Sequence, residues 1–221
     1  MSATNDASPS HSQLNSLLEH YQSGRYEDAE KLAIAITQQF PNHSFSWKVL
    51  AAVLKQTGRI SEALVANQKA VEIAPQDAEA HSNLGNTLQA LGRFKEAEAS
   101  YRQAIALKPD FAEAHSNLGN ILKDLGRFKE AEASHRQAIA LKPDFAEAHS
   151  NLGVALKELG RLEEAEASYR QALALKTDYA EAHSNLGVTL KDLGRLEEAE
   201  TSHRQAIALK SDIAEAHYNL G

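Results

Sequence analysis

Apolar and small residues recur at helical spacing in a segment of 34 residues that the chain repeats along most of its length. Residues 78–111 represent this segment, and we number its positions 1 to 34. At ~100° per residue, one side of a helix collects positions 3, 7, 10, 11 and 14, which are Ala80, Leu84, Thr87, Leu88 and Leu91. The opposite side carries Glu79, Ser82, Asn83, Asn86, Gln89 and Ala90. The pattern predicts an amphipathic first helix of about four turns with a mostly polar outer side.

A second apolar pattern begins after Gly92 and ends before Pro109, with periodic residues Phe94, Ala97, Tyr101, Ala104, Ile105 and Leu107. Glycine after the last periodic residue of a helix accepts the left-handed conformation, so Gly92 predicts a turn between two helices. Proline cannot continue a helix, and Asp110 with Glu113 predicts a capping box that starts the next one. Small residues at positions 8, 20 and 27 predict a close approach of the two helices. Each segment is therefore expected to fold as a helical hairpin.

The string AEAHSNLG begins at residues 78, 112, 146 and 180, and AEAHYNLG follows at 214. A fixed period of this length is typical of stacked-repeat proteins, in which each unit packs on its neighbours. We predict full units at 44–77, 78–111, 112–145, 146–179 and 180–213. A divergent capping unit is expected at 10–43, a disordered leader at 1–9 and the first-helix fragment of a further unit at 214–221.

Several positions of the segment carry a characteristic residue type: a ring at 4, Leu at 7, Gly at 8, Ala at 20, Tyr at 24, Ala at 27 and Pro at 32. This combination resembles the tetratricopeptide repeat (TPR), and the resemblance covers almost the whole chain. It implies an all-α fold, namely a right-handed superhelical solenoid of stacked helix-turn-helix repeats. Within the family, HSNLGN together with KPDFAEAH is similar to the superhelical TPR region of O-linked N-acetylglucosamine transferases, which holds extended peptide backbones on a concave ladder of asparagines.

Composition narrows the classes of partner. The formal charge of −7 argues against nucleic acid and anionic membrane surfaces, because both require a surplus of Lys and Arg. The chain has no cysteine, so thiolate metal sites and disulfides are excluded. No apolar run approaches the ~20 residues of a membrane span. We therefore expect a cytoplasmic protein that needs no cofactor and binds proteins or peptides.

Two groups of residues suggest chemistry, and we assign both to structure. The histidines at position 4 are expected to be packing rings. Because neighbouring helices pack 8–10 Å apart, these rings would lie ~10 Å from each other, which is too far to share a metal ion. They are His81, His115, His149, His183 and His217. Paired glutamates such as Glu163 and Glu164 start a second helix, where the helix dipole favours negative charge. The sequence contains no phosphate-binding loop or nucleophile elbow. It predicts no catalytic residue, no metal site and no enzyme.

The candidate binding residues lie on the polar side of the first helix, which lines the concave groove in the family that the chain resembles. Position 6 holds an asparagine in five copies, and we call this set the asparagine ladder: Asn83, Asn117, Asn151, Asn185 and Asn219. A carboxamide can accept from a peptide N–H and donate to a peptide C=O. The ladder would then grip an extended segment, aided by Asn86, Asn120, Lys123, Lys157 and Lys191. Solvated asparagines that were merely kept by duplication are the alternative interpretation.

These observations predict a non-catalytic protein-interaction scaffold that binds an extended peptide or protein segment. The chaperone-type carboxylate clamp needs Lys or Arg at positions 2, 5 and 6, whereas these positions hold Glu79, Ser82 and Asn83. Two alternatives stay open. The chain is a substrate-recruiting arm cut from a larger enzyme such as a glycosyltransferase, or it forms homo-oligomers through an open C-terminal repeat surface that includes Leu209, Ala214 and Leu220.

Overall fold

The computed structural model describes residues 8–209, and it confirms the all-α class: these residues form twelve helices and no strand. The helices are α1 (His11–Gln22), α2 (Tyr26–Gln39), α3 (Ser44–Gln56), α4 (Ile60–Ile73), α5 (Ala78–Ala90), α6 (Phe94–Leu107), α7 (Ala112–Asp124), α8 (Phe128–Leu141), α9 (Ala146–Glu158), α10 (Leu162–Leu175), α11 (Ala180–Asp192) and α12 (Leu196–Leu209). They form six consecutive hairpins. The exact unit boundaries remain those proposed from the sequence.

The chain divides into two compact units between Pro109 and Asp110. The first unit contains α1 to α6 and the second contains α7 to α12. Within each unit, the second helix of one hairpin packs against the first helix of the next hairpin. First helices also touch each other, since α3 contacts α1 and α5, and α9 contacts α7 and α11. Both units therefore show the stacking of a repeat solenoid.

The turn inside each hairpin forms as the sequence predicts. Gly92 has a φ of +70°, and the N–H of Arg93 donates to the carbonyl of Leu88 at 2.9 Å. This bond closes the C-terminus of α5 in the pattern of a Schellman motif. A residue with a Cβ would be strained at this φ, which explains the glycine.

The small residue at position 8 lets a ring from the second helix lie against the first helix. A Cβ on Gly85 would be 2.7 Å from Cε1 of Tyr101, and a Cβ on Gly153 would be 2.7 Å from Cε1 of Tyr169. Both tyrosines are almost completely buried. The cores of the last four described hairpins therefore depend on a glycine and a ring that occupy adjoining space, as the prediction of close approach implied.

Arginines at position 16 link successive hairpins by ion pairs. Nη1 of Arg161 lies 2.7 Å from Glu132 of the preceding hairpin, while Nε and Nη2 bind Glu164 of its own hairpin at 2.7 and 2.6 Å. Arg195 repeats the arrangement one hairpin later, with Nη1 2.6 Å from Glu166. Each arginine thus holds the start of one second helix against the second helix before it.

Two expectations about the first helix are wrong. The predicted capping box at Asp110 does not form, because α7 begins at Ala112 and its N-cap is Phe111, which has no capping side-chain bond. Glu113 pairs with Lys142 instead, at 3.1 Å. The serine at position 5 is also not part of a polar outer side: it is buried against the neighbouring helices in Ser82, Ser116, Ser150 and Ser184.

The predicted adhesive C-terminal surface is described only in part. Leu209 at the end of α12 is 44% exposed, whereas Ala214 and Leu220 lie outside residues 8–209. Most of the predicted leader and the predicted fragment at 214–221 also lie outside the described residues. Self-association therefore stays a prediction.

Candidate functional site

The described members of the asparagine ladder lie at equivalent places on α5, α7, α9 and α11, and each is half-buried. Their neighbours at positions 9 and 12 share the same side, and in each unit we call the surface formed by positions 6, 9 and 12 of its first helices the inner face of that unit. No hydrogen bond involves the side-chain amides of Asn83, Asn151 and Asn185 within residues 8–209. These three amides have both their donors and their acceptor available to a ligand. Asn219 lies outside the described residues.

The position-9 asparagines differ from the ladder because the ring at position 24 lies beneath them. The hydroxyl of Tyr101 donates to Oδ1 of Asn86 at 2.8 Å and also lies 3.1 Å from Oε1 of Gln89. The acceptor of Asn86 is therefore already used by the protein. In the next hairpin the ring is His135, and Oδ1 of Asn120 is buried without a hydrogen-bond partner.

The predicted lysines of the inner face have different surroundings. Nζ of Lys123 lies 3.4 Å from Asp124, and Nζ of Lys157 lies 3.9 Å from Asp192 of the next first helix. Lys191 is exposed on α11. The inner face of the second unit therefore carries partly compensated positive charge beside the ladder amides.

Sequence reasoning missed a pocket of about 200 Å³ on the inner face of the first unit. Its lining includes Lys55 from α3, Asn67 from α4, and Asn83 and Thr87 from α5. The signal for it lies in the repeat pattern: position 24 of this hairpin is Asn67 instead of a ring, and position 8 is Ala51 instead of glycine. Because the ring is absent, the space that it fills in later hairpins is open.

Lys48 lines the same pocket and is tied to two carboxylates. Its Nζ lies 2.8 Å from Oδ2 of Asp77 and 3.1 Å from Oε2 of Glu79. Burial lowers the pKa of Lys48, but the hydrogen bonds to both carboxylates outweigh it, so the pKa is raised overall. Lys48 therefore stays charged, and its charge is balanced within the protein.

The histidines serve packing and local hydrogen bonding. Nε2 of His81 lies 2.9 Å from the carbonyl of Pro75, and Nε2 of His149 lies 3.0 Å from that of Pro143. Trp47 makes the same contact through its indole N–H to Pro41, at 2.9 Å. Position 4 thus holds a ring nitrogen that bonds to the end of the preceding hairpin. Within residues 8–209, no three His, Cys, Asp or Glu side chains are grouped as metal ligands would be.

The position-24 histidines are buried among apolar neighbours. His135 has no exposed surface and both its ring nitrogens lack partners. Burial, followed by the charge of Lys123, lowers the pKa of His135 to about 4. The same two causes, with Lys191 as the charge, lower the pKa of His203. These rings are neutral at pH 7 and serve as core side chains.

A second pocket, of about 430 Å³, lies away from the inner face, between the second helices α10 and α12. Leu173, Leu186 and Leu190 contribute to its lining, and so does Gln205. Arg170 and Glu198 form an ion pair across it at 3.2 Å. The surface of this outer pocket is mainly apolar.

Comparisons with known proteins agree on the type of fold. Family models described as "TPR repeat" match residues 52–92, 90–126, 119–160 and 155–194, and one described as "Tetratricopeptide repeat" matches residues 180–213. A UDP-N-acetylglucosamine–peptide N-acetylglucosaminyltransferase of Caenorhabditis elegans is 37% identical over 66 residues. This match covers 30% of the chain but only 6% of the transferase.

Solved structures extend the likeness over most of the chain. The type IV pilus biogenesis factor PilW has a TM-score of 0.85 at 22% identity, over 95% of this chain and 97% of PilW. TTC0263, a TPR protein of Thermus thermophilus, has a TM-score of 0.66 at 26% identity, over 80% of this chain and 96% of its own. YrrB, described as a TPR protein with an unusual peptide-binding site, has a TM-score of 0.65 at 23% identity, over 84% and 96%. None of the helices in residues 8–209 combines the length and hydropathy that crossing a bilayer requires.

Proposed function

Because the chain belongs to the tetratricopeptide repeat family, we propose that it is a non-catalytic scaffold that binds an extended peptide or protein segment along its inner face. The observation that carries this proposal is that Asn83, Asn151 and Asn185 are half-buried and make no side-chain hydrogen bond within the described residues. A half-buried amide with unused donors and an unused acceptor suits a ligand that offers both.

An extended peptide backbone fits this chemistry. Neighbouring helices pack ~8–10 Å apart, and an extended chain advances ~3.3 Å per residue. Ladder amides on the successive first helices of the second unit, α7, α9 and α11, would therefore meet about every third residue of the ligand. Since the groups contacted are backbone groups, this part of the site selects an extended conformation more than a particular sequence.

Replacing both Asn151 and Asn185 by alanine tests the proposal. Each side chain would make two hydrogen bonds worth about 0.5–1.5 kcal/mol each, so the loss is about 2–6 kcal/mol, or at least ~30-fold in Kd. Stability should hold or rise slightly, since alanine is the better helix former. An array of extended nonapeptides of varied sequence identifies ligands for the wild type, and fluorescence anisotropy then measures the Kd values of both proteins.

The matched control is the double change Gln171→Ala and Gln205→Ala. It removes two exposed amides from the second helices of the same two hairpins, away from the inner face. Glu166 is less suitable as a control, because its carboxylate bonds to both Arg170 and Arg195. If the glutamine variant loses peptide binding while the asparagine variant keeps it, the ligand lies at the outer pocket and the proposal is wrong.

A second candidate function is a substrate-recruiting arm of a larger glycosyltransferase. The observation in its favour is the 37% identity over 66 residues with a peptide N-acetylglucosaminyltransferase. Reading the gene beyond residue 221 tests it: a transferase domain in the same frame supports the arm, and a stop codon directly after the repeats contradicts it.

A further inference from the structure

We propose that the pocket formed by α3, α4 and α5 is a subsite for a primary carboxamide, such as the side chain of a glutamine or asparagine in a bound segment. The subsite opens on the inner face, so its role in peptide recognition rests on the proposed function. Its affinity for a small amide is a separate property of the first unit. It would supply the side-chain selectivity that backbone contacts of the asparagine ladder lack.

The pocket exists because one hairpin departs from the repeat pattern. In the next hairpin, the ring of Tyr101 lies against Gly85 and its hydroxyl reaches Asn86. In the hairpin of α3 and α4, the equivalent residues are Asn67 and Ala51. Both residues line the pocket and both are buried. A short polar side chain therefore stands where a ring would fill the space.

A chain of hydrogen bonds fixes the orientation of the Asn67 amide. The hydroxyl of Thr87 donates its single proton to the carbonyl of Asn83, at 3.1 Å. The same hydroxyl lies 2.8 Å from the Asn67 amide, and it can only accept this second bond. The group facing Thr87 is therefore Nδ2, and Oδ1 of Asn67 is left as an acceptor.

Oδ1 of Asn67 is buried and has no hydrogen-bond partner. Only 3% of the surface of Asn67 is exposed. Buried polar atoms in proteins nearly always have a partner, so an unpaired acceptor on a residue that lines a pocket indicates a place for a donor. The first requirement on a ligand is thus an N–H or O–H group that can reach Asn67.

The charges of the pocket set the second requirement. Lys55 is exposed at the pocket, and its side-chain ammonium forms no ion pair or hydrogen bond within residues 8–209. The charge of Lys48 is balanced by Asp77 and Glu79. A ligand should therefore offer an acceptor to Lys55 and to Nδ2 of Asn83, next to the donor that Asn67 requires.

A primary carboxamide carries a donor and an acceptor on one carbon and no net charge. A carboxylate would pair with Lys55 but would place its oxygens against the unpaired Oδ1 of Asn67. An ammonium group would satisfy Oδ1 but would be repelled by Lys55, whose charge has no partner in the described residues. The arrangement therefore favours an amide over groups of similar size with either charge.

Titration of the ¹⁵N-labelled chain with propanamide, propanoate and propylammonium, followed by NMR, tests the inference. Propanamide should shift the side-chain amide signal of Asn67 and the backbone signal of Thr87 in a saturable way. Its apparent Kd should be at least fivefold lower than those of the two ions at constant ionic strength. Equal shifts from all three probes, or no saturable shift from propanamide, would overturn the inference.

Two variants assign the effect to the pocket. The double change Ala51→Gly and Asn67→Tyr copies the glycine and ring of the next hairpin and fills the space, so the propanamide response should disappear. Lys55→Ala keeps the fold, because Lys55 is exposed, and should weaken propanamide binding several-fold. Gln171→Ala, at an exposed residue of the other unit, should leave propanamide binding unchanged. A filled-pocket variant that folds and still binds propanamide as the wild type does would refute the subsite.

The two proposals can fail separately. Loss of peptide binding in the Asn151/Asn185 double variant, with no preference for propanamide, would support the ladder and overturn the subsite. A preference for propanamide that depends on Asn67 and Lys55, with peptide binding unaffected by the double variant, would support the subsite and overturn the ladder.

Discussion

At the scale of single residues, the alternation of ring types at position 24 has an energetic consequence. Residues 78–111 and 112–145 differ at only four positions, one of which exchanges Tyr101 for His135. Tyr101 satisfies Oδ1 of Asn86, whereas Oδ1 of Asn120 and both nitrogens of His135 are buried and unpaired. The histidine hairpin therefore lacks one internal hydrogen bond that its tyrosine neighbour has.

The change His135→Tyr should stabilise the protein and reduce its sensitivity to acid. The new hydroxyl should reach Asn120, which is worth about 1 kcal/mol. The pKa of His135 is about 4 in the folded protein, against a reference value of 6.5. Between these two pH values the unfolded chain binds more protons than the folded one. The free energy of unfolding therefore falls as the pH drops from 6.5 to 4. At pH 5 the wild type should lose roughly 2 kcal/mol of its free energy of unfolding through His135. Denaturant unfolding at pH 8 and at pH 5 should show that the variant lacks this loss.

The control is His203→Tyr, because position 9 of that hairpin is Val188 and offers no acceptor. It should reduce the pH dependence without adding stability at pH 8. Equal pH dependence in the wild type and the His135→Tyr variant would contradict the assignment of a depressed pKa to His135.

The sequence predicted some of the candidate binding residues but not the contacts of every one of them. The spacing identified Asn151 and Asn185 as polar-side residues, and both are half-buried in the structure. The pattern could not distinguish Asn86, whose acceptor is bonded to Tyr101, since that contact depends on the distance between two helices. The pattern also did not predict a role for Asn67. The sequence shows that Asn67 replaces a ring, but only the structure shows that the replacement leaves a pocket.

At the scale of the helix, the close approach of glycine and ring should make Gly153→Ala destabilising. Alanine is normally favoured over glycine in a helix by up to ~1 kcal/mol. Here, however, its Cβ would lie 2.7 Å from the buried ring of Tyr169. Overpacking of this kind costs about 1–3 kcal/mol. Thermal unfolding should show a lower Tm for Gly153→Ala. The control, Glu158→Ala on the exposed side of α9, should change the Tm little. An increase in the Tm of Gly153→Ala would contradict the prediction, because it would mean that the ring of Tyr169 moves freely.

The sequence pattern predicted that the helices and the turns between them exist, but it did not predict the residue at which α7 begins. The glycine turns are local, because the φ of Gly92 is a property of one residue and its own hydrogen bonds. Phe111 is the N-cap of α7, so Asp110 lies one residue too early to cap it. A motif match identifies residue types, whereas capping also requires the backbone conformation that brings the side chain to the first amides of the helix.

At the scale of the whole molecule, removal of residues 180–221 should lower stability without abolishing the fold. The deletion removes the Arg195–Glu166 and Lys157–Asp192 pairs but leaves the contacts among α7 to α10 in place. Stability in repeat arrays is approximately a sum of unit and neighbour contributions. Circular dichroism should show helicity reduced in proportion to the deleted helices, with a lower Tm. Complete loss of helicity would show that the repeats fold only as one cooperative body.

The ion pairs at position 16 bear on how such a gene can change in length. If recombination between misaligned copies removed residues 146–179, Arg195 would follow Glu132 at the spacing it now has from Glu166, and the same pair could form. Insertion of 34 codons would likewise create one more pair of the same kind. Each of these ion pairs connects a hairpin only to its neighbour. The number of repeats can therefore change without requiring a new type of contact between hairpins. The length of the proposed binding surface would thus be inherited in whole steps of one hairpin.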